Sequence, residues 1–119
     1  MDFDSYTIAL LFLRPDAPKM SEEAEDALQD AHLSHLASLH ESGDLLAAGP
    51  VLGDPDRELR GFSIFRSTDV SYVRGRADED PSVRAGRYRH EFHVWTLPSG
   101  LLSFTPGRLP RSVKEALGE

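Results

Sequence analysis

The stretch "SEEAEDALQDAHLSHLASLHESG", residues 21–43, constrains this chain more than any other because it carries its own start and stop signals. Ser21 offers a side-chain acceptor for capping, and Glu22 and Glu23 complement the positive end of a helix dipole. His40 lies near the far end, and Gly43 supplies a C-cap. The pattern predicts one amphipathic helix. Its apolar stripe must be buried against another element, and the segments around it read as strands.

"SYTIALLFL" (residues 5–13) is rich in aromatic and aliphatic types and stops at "RPDAP", which predicts a strand buried on both faces. "DLLAAGP" predicts a short strand broken by Gly49 and Pro50, "VLGDPDREL" a loop, and "RGFSIFRS" a third strand of period two. Thr68 or Asp69 caps a second helix running to about residue 78, and "DPSVRAG" forms a turn or short helical piece ending at Gly86. "RYRHEFHVWTL" alternates cleanly. Tyr88, His90, Phe92 and Val94 share one face, and Arg89, Glu91, His93 and Trp95 the other.

The order is βαββαβ, an α+β sandwich with helices on one face of a largely antiparallel sheet. The bare face needs a cover, and a homodimer that closes a barrel between subunits provides one. Residues 1–98 are expected to form this α+β domain. Residues 99–119 form a C-terminal extension with a short helix over 111–117.

Composition removes several function classes. The chain of 119 residues has no cysteine, so it carries no thiolate nucleophile and no cysteine-based metal site. A net charge of −7 opposes phosphate neutralisation, so no nucleic-acid partner is expected. "YTIALLFL" is far shorter than the roughly 20 apolar residues a membrane span requires. A cytoplasmic protein with no membrane partner is the expectation. Arg74, Arg76, Arg84, Arg87 and Arg89 concentrate basic charge in the second half, as a solvated face or a local anion site.

Three of the five histidines lie within nine residues of the long helix. On a wheel of about 100° per residue, Leu28, Leu36 and Leu39 define the apolar stripe and His32 falls in its middle. His35 and His40 fall toward opposite edges. His32 and His35 have i, i+3 spacing, but no third ligand stands at a motif distance, so no metal is expected. Spacing leaves two readings of His32. It is either a core imidazole satisfied by backbone or water, or an acid–base group in a half-dry pocket that needs an orienting partner. Asp80, ahead of a proline, reads on its own as a turn former.

"HLSHLASLHESGDLLAAGP", then "RGFSIFRS", then "DPSVRAG" and a strand ending in "HVWTLP" together resemble the YCII-related (YciI-like) family over about residues 5–98. The resemblance implies a ferredoxin-like fold that pairs into a dimeric α+β barrel. It also implies an active site built on a His–Asp pair, and by motif position these are His32 and Asp80. One activity it brings in is elimination of chloride from a chlorinated hydroxyquinol, which needs proton movement and no metal or redox cofactor. Gly49 and Pro50 end the second strand beside this pocket, and Arg60 or Arg87 is placed to meet an acidic small-molecule ligand.

Three functions follow. The first is a cofactor-independent lyase or isomerase acting on a small metabolite, with His32 as acid–base group and Asp80 orienting it. The second is a binding or regulatory module using the same pocket without turnover. The third, an aromatic monooxygenase of the dimeric α+β barrel type, ranks last because that group lacks D-P-x-V-x-A-G.

Overall fold

A computed structural model describes residues 1–54 and 56–119; the loop reading at Pro55 lies outside the described residues. Strand β1 (Phe3–Leu13) is the spine of the sheet. It pairs antiparallel with β4 (Tyr88–Pro98) along its whole length, from Phe3 opposite Pro98 to Leu13 opposite Tyr88. On its other side it pairs with β3 (Leu59–Phe65), which in turn holds the edge strand β2 (Leu45–Pro50). The order β2-β3-β1-β4, antiparallel throughout, is the α+β arrangement expected from the element order, with the ferredoxin-like topology that the resemblance implies.

Register decides which residues can meet. Thr7, Ala9 and Leu11 of β1 stand opposite Phe65, Ser63 and Gly61 on one side and Val94, Phe92 and His90 on the other. Helix α1 (Glu22–Glu41) and helix α2 (Val70–Ala77) cover this face. Ala9, Leu39, Leu45, Phe65, Val73 and Ala77 form the buried core between them.

The helix ends follow from local chemistry. Ser21 accepts from the Ala24 N–H at 3.1 Å. At the far end Ser42 is the cap, and Gly43, one residue past the expected role, takes a φ of +89° and turns the chain out. Asp69 caps α2 by accepting from the Tyr72 N–H. The second helical region is not continuous, because a proline at 81 disfavours helical backbone at Asp80. Helix α2 therefore stops at its C-cap Asp78, and a single turn, α3 (Pro81–Arg84), restarts with Asp80 as N-cap. This break fixes both aspartates.

The second face of β1 departs from the expectation of burial on both sides. Tyr6, Ile8, Leu10 and Phe12 are only half-buried, and among the described residues the helical core residues pack with Ala9 on the opposite face. Phe104 meets Tyr6 edge-on, and the Arg89 guanidinium stacks over Phe12. The C-terminal segment then returns to α1. Its short helix α4 (Val113–Ala116) is tied there by the Val113 N–H donating to Asp30 Oδ1 at 2.8 Å, and by the Arg111 guanidinium on Glu41. Among the described residues no helix is long and apolar enough to cross a membrane.

Candidate active site

His32 sits in the inward stripe of α1 and is 8% exposed. Its Nδ1–H donates to Asp80 Oδ2 at 2.5 Å. Asp80 is 1% exposed and uses its two oxygens separately. While Oδ2 receives the imidazole, Oδ1 accepts from the Ser82 backbone N–H and from the Ser82 hydroxyl, both at 2.8 Å. Turn former and histidine partner are thus the same residue: capping α3 is what aims the other oxygen at α1. Ser82, also buried, places its hydroxyl 3.3 Å from His32 Nδ1 and closes the triangle.

Burial alone would push the Asp80 carboxyl up, since charge is costly in a low-dielectric interior. The His32 hydrogen bond and charge, together with the two Ser82 donors, outweigh it and hold Asp80 below the ordinary carboxylate value. An ionised, acceptor-only carboxylate fixes the tautomer of its partner, leaving the lone pair of His32 on Nε2. That atom has no hydrogen-bond partner among the described residues, and it is not among their sealed polar atoms.

A cavity of about 340 Å³ lies beside the ring. Its walls include His32, Gly49, Pro50 and Arg60, so four of the residues selected from the sequence share one space, with Asp80 bonded to His32. Arg60 is held by its Nε–H donating to the Arg57 carbonyl at 2.5 Å. Among the described residues, a Cβ at Gly49 would meet no atom within 4 Å. Arg87 does not reach the cavity walls. Its guanidinium lies 5.3 Å from the Tyr88 ring centroid and 3.7 Å from Glu25.

The three helix histidines separate, as the wheel implies. His35 Nε2 meets the Arg76 carbonyl at 3.1 Å, while His40 spans the carbonyls of Leu45 and Gly107. His93 and Trp95 lie on the outer, exposed side of β4.

Two features escape a reading of the sequence. His90 lines the same cavity and carries its own carboxylate, with Nδ1 2.9 Å from Asp78 Oδ1. Its alternation with Tyr88 and Phe92 was the available signal, since a histidine on a buried apolar face needs a partner. The C-terminal segment supplies Leu109, Pro110, Val113 and Ala116 to the wall. No periodicity in "PGRLPRSVKEALGE" announces that.

The YCII-related domain matches residues 9–95 of the chain. Protein YciI of Escherichia coli and protein YciI of Shigella flexneri are each 36% identical over 76 residues, covering 59% of this chain and 78% of theirs. Among solved structures, the fold is similar to that of 5-chloro-2-hydroxyhydroquinone dehydrochlorinase from Burkholderia phenoliruptrix, in complex with 2,5-dihydroxybenzoquinone. The TM-score is 0.56 at 21% identity, covering 76% of this chain and 92% of that one.

Proposed function

The chain belongs to the YCII-related family, and on that premise we propose that it is an acid–base enzyme of the lyase or isomerase type acting on a small metabolite. One observation carries this reading: a histidine whose Nδ1 is held by a buried carboxylate lines a cavity of about 340 Å³, and its Nε2 has no hydrogen-bond partner among the described residues. That volume suits a single-ring molecule. In the proposed chemistry, Nε2 accepts a substrate proton, and Asp80 keeps the ring aligned and balances the imidazolium that forms. Arg60 is the cation available to an acidic substituent, and the Gly49–Pro50 backbone forms part of the wall. Hydroxylated aromatics are the first class to try, because the structural neighbour is named for one.

The half-exposed row Tyr6, Ile8, Leu10 and Phe12 supports a homodimer closed over that sheet face. Light scattering of the purified chain checks this, with a monomer mass opposing it.

The functional reading is tested by incubating the protein with a panel of small hydroxylated aromatics, 5-chloro-2-hydroxyhydroquinone included, and following chloride release and product spectra. Turnover that is lost in a folded His32→Ala variant supports the enzyme. A compound that raises the melting temperature but is recovered intact makes the cavity a binding module instead.

A further inference from the structure

We propose that His90, oriented by Asp78, is a second proton-transfer residue of the same cavity, so that the site moves protons at two positions of one substrate. This rests on the acid–base reading above and extends it. His32 and His90 come from different elements, α1 and β4, yet both line the cavity. Each gives Nδ1 to an aspartate, at 2.5 Å and 2.9 Å, and neither Nε2 has a hydrogen-bond partner among the described residues. The two aspartates flank the α2–α3 break, so one local irregularity orients both rings.

The surroundings of the pairs differ. The His32 ring faces a carboxylate whose side chain is 2% exposed, whereas Asp78 is 39% exposed at its side chain and screened by solvent. Burial lowers the His90 pKa. The bond and charge of Asp78 and the charge of Asp80 raise it, the charge of His32 lowers it further, and the balance favours the neutral ring. Groups of one kind held in different environments divide acid and base work between them.

The step this fits is a tautomerisation of an enol or phenol. Neutral His90 accepts the hydroxyl proton at Nε2 as the O–H bond breaks and C=O forms. His32, once its Nε2 has accepted a proton as proposed above, gives that proton to the adjacent carbon, where the C=C pair forms the new C–H bond. One proton leaves the substrate and one arrives, so it gains no charge. The enzyme ends with His32 neutral and His90 protonated, and solvent exchange resets both. The substrate class is a ring or chain with an ionisable hydroxyl conjugated to the carbon that is protonated.

Nitrogen-15 labelling tests this with 2-hydroxyhydroquinone as probe. Its ring C–H bonds exchange with D₂O through that tautomerisation, and the His90 Nε2 resonance reports a hydroxyl donor directly. Wild-type protein is expected to accelerate exchange and to show a probe-dependent His90 Nε2 shift. His90→Asn should slow exchange by about 10²-fold with the probe still bound, and Asp78→Asn should alter the pH profile of the rate. Wild-type exchange that His90→Asn leaves unchanged overturns the His90 assignment alone. Exchange by wild type no faster than by His32→Ala overturns the acid–base reading itself. A His90 Nε2 resonance that does not move at saturating probe overturns the assignment whether or not exchange occurs.

Discussion

Asp78 and Asp80, two residues apart on either side of a helix break, hold the Nδ1 atoms of His90 and His32 at 2.9 Å and 2.5 Å. The chain reaches this arrangement because Pro81 interrupts helical backbone at the residue before it. Local backbone chemistry therefore sets the geometry of the site.

Asp80→Ala should be strongly destabilising. It strips the cap from α3, leaves the Ser82 N–H without its acceptor and removes the carboxylate bonded to the buried His32 ring. Loss of one partner from a buried pair costs about 3 kcal/mol. Urea unfolding measures it, and Asp80→Asn, which keeps one acceptor oxygen, should lose clearly less.

Acid should weaken the fold in two stages. The His90 pKa lies below its ordinary 6.5, so the unfolded chain takes up that proton first as pH falls. Its contribution is complete above pH 6.5 and is lost as pH falls through the folded value. Asp80 is likewise held below 3.8, so its contribution is complete above pH 3.8 and is lost at lower pH still. Urea midpoints followed from neutral pH downward should show the first slope in wild type and not in His90→Asn. An equal slope in both contradicts it.

The C-terminal segment should control what enters. Val113 lines the cavity, and the Arg111–Glu41 pair that helps hold its helix is solvent-exposed. Arg111→Ala should cost less than about 1 kcal/mol. Val113→Phe should weaken binding of whichever panel compound the wild type binds, measured by calorimetry, with the melting temperature little changed.

Much of this arrangement is legible in the residues themselves. Ser21 and the acidic first turn mark α1, and the helical period places His32 inward, because one face of such a helix must be apolar. The alternation from Tyr88 onward identifies β4 and puts His90 on its inner face. What periodicity does not carry is partnership across the fold. The Asp78–His90 contact depends on where the α2–α3 break falls against β4, and "RADED" reads by itself as an acidic helix end. The return of residues 109–116 to α1 depends on single contacts such as Val113 to Asp30. The half-exposure of Ile8 and Leu10 reflects a face that one chain leaves uncovered, which strand composition alone does not distinguish from a buried one.

The most direct test of the His32–Asp80 pair is a double-variant cycle on kcat/KM for whichever panel compound turns over. Residues acting as one unit are non-additive. His32→Ala should lower kcat/KM by at least about 10²-fold, and adding Asp80→Asn to it should cause almost no further loss. A double variant that multiplies the two single losses, or single variants as fast as wild type, would contradict the pair.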